Sequence, residues 1–163
     1  MKLRRTAIRV MGRSHRAVYR LSRGRLLGRV AGMPVLLLTT TGRRSGRART
    51  TPLTYFEDGE ELVIIASNGG EDTAPAWWLN LCGHPEAGVT IGTRSHTVTA
   101  RAATDDEHAR LWPMITATHA GYAAYARRTA RPIPVVLLSR TKERLLDLTD
   151  NLLSRTKENA PNR

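Results

Sequence analysis

Residues 39–52 read TTTGRRSGRARTTP and lie between two segments with the pattern of β-strands. Residues 34–38 (PVLLL), which precede them, form a short apolar run typical of a buried strand. Residues 53–56 (LTYF), which follow, show the period-two alternation of a second strand. The pattern therefore predicts a β-hairpin in which residues 39–52 form the connection.

This connection is strongly basic and is also rich in small residues. It contains Arg43, Arg44, Arg47 and Arg49 together with Gly42, Ser45 and Gly46. Guanidinium groups form paired hydrogen bonds with phosphate and carboxylate, and small residues allow backbone N–H groups to approach a ligand. The loop thus indicates a site for an anionic group. A solvated hairpin tip, whose charges keep a sheet edge soluble, fits the charge alone equally well.

The composition is that of a single globular domain. The 163 residues are 40% hydrophobic and 25% charged, which is enough to bury a core. The one cysteine, Cys82, excludes an intramolecular disulfide and a multi-cysteine metal site. The histidines are not spaced as metal ligands, and no GxGxxG, Walker or GxSxG motif occurs. A metal-independent site of arginines, backbone amides and aromatic hydroxyls remains, which suits a phosphorylated planar cofactor better than hydrolysis.

The net charge of +12 is concentrated at the N-terminus, because residues 1–30 contain ten Lys or Arg and no acidic residue. On a helix, the apolar side chains of this segment fall on one face and its arginines on the other. The pattern predicts a basic amphipathic helix, which would suit the headgroup layer of an anionic membrane. Packing of its apolar face on the domain, nucleic-acid binding and a targeting role are the alternatives. No apolar run approaches the length of a membrane-spanning helix.

The rest of the chain alternates between strand and helix patterns. In chain order these predict a strand at 61–67, which completes a three-stranded meander, then a helix at 76–81 and a hairpin of strands at 86–91 and 94–101. A helix from Thr104 to about 117 follows and begins with a capping box. The last predicted elements are a helical stretch at 121–129 and a strand at 133–139. The predicted fold class is α+β and mainly β. Its predicted segments are a basic helix at 1–30, a mainly β domain at 31–140, and a C-terminal helix and tail at 141–163.

Two further groups are candidate site residues. The small-residue turn Ser67-Asn68-Gly69-Gly70 follows a strand and could present backbone donors to a ligand, or could be an ordinary loop. Adjacent tryptophans at 77 and 78 point about 100° apart on a helix, so one is expected in the core while the other could cover a planar ring. Tyr122 and Tyr125 share a helix face and could bond a substrate oxygen, or could simply pack on the sheet.

The motifs TGRRSG (41–46), ASNGG (66–70) and PAWWLNL (75–81), followed by the tyrosine pair and IPVVLLSR (133–140), resemble the deazaflavin-dependent nitroreductase family of actinobacteria. The resemblance covers about residues 33–140. It implies a split β-barrel like that of flavin-mononucleotide-binding oxidoreductases, and it implies coenzyme F420, an 8-hydroxy-5-deazaflavin that ends in a phosphodiester and a polyglutamate tail. Such a tail would explain the basic loop.

The resemblance also implies roles for individual residues. Arg43, Arg44 and Arg49 would bind the phosphate and the tail, and Pro52 would lie beside the ring system. The ring would be bordered by Ser67, Asn68, Gly69 and Gly70, with Trp77, Trp78 and Asn80 supporting that wall. The catalytic candidates are Tyr125, Ser67 and Tyr122.

The chain departs from the family pattern at two positions. Asn68 stands where members often carry a lysine, which predicts one cationic contact fewer to the cofactor. Arg128 stands where some members carry an aromatic residue, which argues against the nitro-drug activity of those relatives.

The implied activity is hydride transfer from reduced F420 to a quinone, an activated alkene or a nitro-compound. The N-terminal segment favours an apolar, quinone-like acceptor, reached in the cytoplasm or from a peripheral position on the inner face of the cell membrane. An enzyme dependent on flavin mononucleotide (FMN) or a non-catalytic flavin or deazaflavin carrier are the alternatives. An electrostatic nucleic-acid binder is disfavoured, because the basic residues lack interleaved aromatics for base stacking.

Overall fold

The computed structural model describes residues 29, 30 and 32–141. The strands are β1 (Arg29–Val30), β2 (Met33–Thr41), β3 (Ala48–Thr54), β4 (Phe56–Asp58), β5 (Glu61–Ile65), β6 (Glu86–Ile91), β7 (Arg94–Ala102) and β8 (Val135–Arg140). The helices are α1 (Ala76–Gly83), α2 (Asp105–Thr118) and α3 (Ala120–Ala126), and a 3-10 turn spans Asn68–Gly70. The predicted α+β, mainly β class is confirmed.

The eight strands form one antiparallel sheet that closes on itself. Following the hydrogen bonds, the order is β1-β2-β6-β7-β8-β5-β4, and β3 lies off this path and pairs with β2. Only Tyr55 separates β3 from β4. Its backbone N–H donates to the carbonyl of Pro34 at 3.2 Å, and its side chain is buried. One bent strand therefore joins the two ends of the sheet into a barrel and forms the middle strand of the predicted meander.

This closure fixes which loops lie together. Because β2 is antiparallel to β3, and β4 is antiparallel to β5, strands β2 and β5 run in the same direction. The path through β6, β7 and β8 gives the same result, since every pair on it is antiparallel. The connection after β2 and the turn after β5 therefore emerge at the same end of the barrel.

Strands β2, β5 and β8 contain continuous apolar runs because both of their faces are buried. One cluster fills the barrel and includes Leu36, Leu38, Ile64, Val136 and Leu138, together with Trp77 and Leu81 from α1. A second cluster lies between the outer face of the sheet and helices α2 and α3, and includes Val63, Ile65, Leu111, Ile115 and Tyr122. Burial on both faces removes the alternation that marks a half-exposed strand.

The first hairpin differs from its predicted bounds. Residues 39–41 and 48–52 extend the two strands, with Thr41 opposite Ala48, so the connection is only residues 42–47 rather than 39–52. The strand ends were predicted as loop because three threonines and the basic residues there are also common in loops. Pro52 lies within β3, opposite Leu37. A proline is tolerated there because β3 pairs only with β2 and needs no N–H donor on its other edge.

The predicted N-terminal helix falls almost wholly outside the described residues. Its last two residues, Arg29 and Val30, are not helical and instead form β1, in which Val30 pairs with Met33. Gly32, with φ of +82°, makes the tight turn that this pairing requires. Residues 1–28 and the predicted C-terminal helix after Thr141 lie outside the described range.

The capping box at the start of α2 is confirmed. The Thr104 hydroxyl accepts from the Glu107 N–H, and the Glu107 carboxylate accepts from the Thr104 N–H. The same carboxylate accepts from the Arg101 guanidinium at 2.6 and 2.9 Å, which connects the helix to β7. The Arg101 hydrogen bond lowers the pKa of Glu107 to about 2.

We expect Glu107→Gln to lower the midpoint of thermal unfolding at neutral pH, because a neutral amide cannot form this ion pair. Since the folded-state pKa lies below the ordinary value of 4.5, the stabilisation is present above that pH and is lost as the pH falls through about 2. Melting curves of both proteins over this range should converge at the acid end. Asp106→Asn, which removes a charge from the same helical turn but no bond to Arg101, is the control and should show a smaller difference. If the difference in thermal midpoint between Glu107→Gln and the unaltered protein did not change with pH, the ion pair with Arg101 would not be its cause.

Candidate functional site

The connection 42–47 forms a compact loop whose arginines point into solvent. The Gly42 N–H donates to the Arg47 carbonyl at 2.9 Å, and the N–H groups of Ser45 and Gly46 both donate to the Gly42 carbonyl. Arg43, Arg44, Arg47 and Arg49 are exposed. In the described part of the chain, ion pairs are made by other arginines, at positions 101 and 110. Within the described residues, the loop and the adjoining start of β3 therefore present four positive charges without a carboxylate partner.

Asn80 on α1 connects this loop to the barrel. Its side-chain oxygen accepts from the Arg43 N–H at 3.1 Å, and its side-chain nitrogen donates to the Thr40 hydroxyl at 3.0 Å. Asn80 is only 7% exposed. A polar side chain is stable at that depth because both ends of its amide are bonded. Helix α1 therefore fixes the position of the arginine loop.

The turn that follows β5 has the backbone geometry of an anion-binding nest. Ser67 is right-handed helical, with φ of −73°, and Asn68, Gly69 and Gly70 have φ of +48°, +66° and +79°. A right-handed residue followed by a left-handed one, here Ser67 and Asn68, turns successive N–H groups to one side, whereas the Gly70 N–H is already donated to the Ser67 carbonyl at 2.9 Å. The Asn68 side chain donates to the Thr73 carbonyl at 2.8 Å and holds the turn. Asparagine tolerates a positive φ better than most residues, so Asn68 also stabilises the turn through its own backbone conformation.

Helix α3 packs against this turn without a gap. A Cβ at Gly70 would lie 3.2 Å from the Tyr125 Cα and from the Arg128 Cβ, which is a tight contact, and its φ of +79° also favours glycine. The contact brings the second tyrosine of the pair beside the turn. The Arg128 guanidinium carbon lies 5.9 Å from the centroid of the Tyr125 ring.

The two tyrosines have different environments. Their rings meet edge to face, with centroids 6.0 Å apart. Tyr122 is 6% exposed, its hydroxyl is 2.8 Å from the Thr54 hydroxyl, and burial raises its pKa. Tyr125 is half-buried, and within the described residues its hydroxyl has no hydrogen-bond partner. Of the two, Tyr125 has the hydroxyl that is free to bind a ligand.

The face of β3 extends from the tyrosine pair toward the arginine loop. Thr50, Pro52 and Thr54 alternate with inward residues and therefore share this face, and Thr54 holds Tyr122. Pro52 thus lies between the bonded tyrosine and the end of the strand that adjoins the loop, whereas Arg49, near that end, alternates onto the other face of the strand. The strand provides a continuous surface between an aromatic hydroxyl and a cationic loop.

The tryptophans divide as predicted, with one buried and one accessible. Trp77 is buried in the barrel cluster, whereas Trp78 is half-buried and packs against the edge of that cluster. Their ring centroids are 6.5 Å apart. Trp78 is the one with a surface available to a planar molecule.

Arg131, which lies between α3 and β8, is a site residue that no sequence motif predicts. Its guanidinium donates to the carbonyl of Ser67 at 2.8 Å and to that of Ala66 at 3.0 Å. A single arginine ahead of a proline-containing strand gives no sequence signal of this role. Only the sheet order, which places β8 beside β5, brings it to the turn.

The arrangement suits a planar molecule with an anionic extension. At one position lie arginines that form no ion pair with any described residue, at another lie the turn and a tyrosine hydroxyl with no bond to the described chain, and the face of β3 joins the two. Within residues 29, 30 and 32–141, no cluster of three or more His, Cys, Asp or Glu side chains is placed to hold a metal ion.

Comparison with known proteins identifies relatives with a named activity. Residues 10–140 match the family model described as F420H(2)-dependent quinone reductase. An F420H(2)-dependent quinone reductase of Mycobacterium tuberculosis is 42% identical over 132 residues, which are 78% of this chain and 89% of the relative. A second protein of that organism with a similar description is 36% identical over 106 residues, 65% of this chain and 89% of the relative.

Solved structures show the same fold. A structure described as an F420-H2 dependent reductase superposes with a TM-score of 0.59 at 33% identity, covering 65% of this chain and 94% of that one. Another, described as a domain-swapped dimer, gives a TM-score of 0.61 at 30% identity, covering 77% and 96%. A haem storage protein of Vibrio cholerae, at 11% identity and a TM-score of 0.51, shares the fold alone. The predicted split β-barrel is confirmed.

Proposed function

The chain belongs to the F420H(2)-dependent quinone reductase family, and we infer that it transfers a hydride from reduced coenzyme F420 to a quinone. The family, the cofactor and the quinone acceptor agree with the resemblance drawn from the sequence motifs. The observation in the fold that best supports this function is a group of exposed arginines at one end of a surface that leads to the Tyr125 hydroxyl, none of which is bonded to a carboxylate or donor in residues 29, 30 and 32–141.

We assign the cofactor site to the residues around the β3 face. Arg43, Arg44 and Arg49 bind the phosphate and the glutamate tail, because they are exposed and have no carboxylate partner in the described chain. The ring system lies against Pro52, the turn at 67–70 and Trp78. Trp77 and Asn80 support this wall from the core.

The cofactor supplies the hydride, and the protein supplies orientation and charge stabilisation. Transfer of a hydride to a quinone places negative charge on a quinone oxygen. The Tyr125 hydroxyl donates a hydrogen bond to that oxygen, and a proton delivered there by Tyr125 or by water completes the hydroquinone. Ser67 is a second donor at the same wall. Tyr122, bonded to Thr54, holds the Tyr125 ring in place through their edge-to-face contact.

The arginine assignment predicts a selective loss of cofactor affinity. Arg43→Ala, Arg44→Ala and Arg49→Ala should each raise the Kd for oxidised F420 about tenfold, or ~1.4 kcal/mol, because each removes a charge-assisted hydrogen bond. Fluorescence titration measures this directly, with FMN titrated in parallel as the competing cofactor. Arg94→Ala, which removes the same charge from the opposite end of the barrel, should leave Kd unchanged.

A second titration separates tail binding from ring binding. The deazaflavin riboside, which lacks the phosphate and the tail, should bind the three loop variants and the unaltered protein equally. Equal weakening of both ligands would contradict the assignment of these arginines to the tail, and tighter binding of FMN than of F420 would contradict the cofactor.

Tyr125→Phe should lower kcat with a quinone about 100-fold while the Kd for F420 stays constant, because a donor to the developing oxyanion is removed. Steady-state kinetics with a soluble quinone measure the effect. Tyr122→Phe is the matched control, because it breaks the bond to Thr54 and should lower stability by about 1–3 kcal/mol with a much smaller change in kcat. An unaltered kcat in Tyr125→Phe would remove this residue from the mechanism.

We further propose that residues 1–30 hold the enzyme on anionic membranes, where apolar quinones dissolve. This segment has ten basic residues and no acidic residue, and the relatives share a quinone acceptor by name. No helix in residues 29, 30 and 32–141 is both long enough and apolar enough to cross a bilayer.

Co-sedimentation with liposomes tests this proposal. The full chain should bind vesicles that contain anionic lipid, bind zwitterionic vesicles weakly, and dissociate in high salt. Removal of residues 1–28 should abolish binding and leave turnover of a soluble quinone intact. Equal binding of the shortened and full chains would contradict the role of this segment.

A further inference from the structure

Arg131 bonds almost exclusively to backbone carbonyls of the turn after β5. Its Nε donates to the Glu71 carbonyl at 3.0 Å, and its Nη2 donates to the carbonyls of Ala66 at 3.0 Å and Ser67 at 2.8 Å. Its Nη1 donates to the neighbouring Pro132 carbonyl at 3.2 Å. One guanidinium therefore holds both ends of the turn that we assign to the cofactor ring.

The surrounding chain holds Arg131 itself in place. Its backbone N–H donates to the Thr129 hydroxyl at 3.3 Å, and that hydroxyl donates to the Asp72 carboxylate at 3.1 Å. No carboxylate in the described residues forms an ion pair with the Arg131 guanidinium. Its positive charge is therefore directed into the peptide groups of the turn.

These peptide groups are the ones that form the nest. The carbonyl of Ala66 and the N–H of Ser67 belong to one peptide unit, and the carbonyl of Ser67 shares a unit with the N–H of Asn68. A cation bound at the carbonyl end polarises the unit and strengthens the N–H at the other end as a donor. It also fixes the orientation of Ser67 and Asn68. Asn68 has a positive φ and both residues precede two glycines, so the turn would be more mobile without these bonds.

We propose that Arg131 is a positioning residue for the cofactor, acting through the backbone of residues 66–71 rather than by contact. This inference rests on the proposed function for the identity of the ligand, but not for the effect on the turn. Preorganised donors bind a ligand more tightly because the cost of ordering them is met on folding.

The surroundings of Arg131 also allow a test by chemical rescue. If Arg131 is replaced by alanine, a guanidinium ion from solution can take the place of the lost guanidinium group. The Arg131 side chain lines an open cavity of about 440 Å³ together with His108, Trp112, Ala126 and Pro134. In Arg131→Ala the vacated space would join this cavity. A free guanidinium ion is small enough to enter it and can bond the same carbonyls in a plane.

The experiment compares Arg131→Ala and Arg131→Lys with the unaltered protein. In the alanine variant, the Kd for oxidised F420 should rise about tenfold, and amide hydrogen exchange of residues 67–72 should accelerate in the cofactor-free protein. The lysine variant keeps the charge but lacks the planar fork, so it should retain most of both defects. Millimolar guanidinium should restore Kd and slow exchange in the alanine variant, whereas equal sodium chloride should not.

Arg110→Ala separates this role from a general loss of stability. Arg110 forms a two-bond ion pair with Asp58, at 2.9 and 2.6 Å, that joins α2 to β4. This variant should alter the melting temperature while leaving Kd and exchange of residues 67–72 unchanged.

The outcomes of these experiments distinguish the positioning role of Arg131 from the proposed F420-dependent quinone reduction. Unchanged exchange of residues 67–72 in both Arg131 variants would overturn the positioning role, whatever the ligand. Failure of the unaltered protein to bind F420 would overturn the proposed function, whereas accelerated exchange reversed by guanidinium would still support the action of Arg131 on the turn.

Discussion

Closure of the sheet through the bent strand at Tyr55 is the constraint on which the site depends. The first part of this strand, β3, pairs with β2, and its second part, β4, pairs with β5. One segment of chain therefore connects the two ends of the sheet. Because this makes β2 and β5 run in the same direction, the arginine loop and the nest lie at one end of the barrel. Without it, the two halves of the proposed cofactor site would be related only through the path over β6, β7 and β8.

Buried and partly buried hydrogen bonds then determine the details that barrel closure leaves open. Asn80 connects the arginine loop to α1 and β2, and Arg131 connects the nest to the segment before β8. Both use side-chain donors or acceptors to satisfy backbone groups that no strand partner reaches. Apolar packing could hold these segments nearby, but only directional bonds fix the orientation of individual amides.

Much of the fold could be predicted because local signals agreed with the final packing. The capping box at Thr104, the second hairpin and the short helix with two tryptophans are all local patterns, and the structure confirms them. The hairpin ends were less accurate, because threonine and arginine are compatible with both strand and loop. Arg29 and Val30 were assigned to a helix although they form a strand, because charge periodicity carries no information about a pairing partner.

The sequence by itself determined the family, the cofactor class and the elements, since motifs, capping residues and apolar periodicity are properties of neighbouring positions. Tertiary structure alone decided which tyrosine keeps a free hydroxyl, which tryptophan is accessible and that Arg131 holds the nest. Each of these depends on contacts between segments remote in the chain, such as Thr54 with Tyr122 and Ser67 with Arg131. Such contacts exist only after the barrel closes, because closure brings those segments within hydrogen-bond distance.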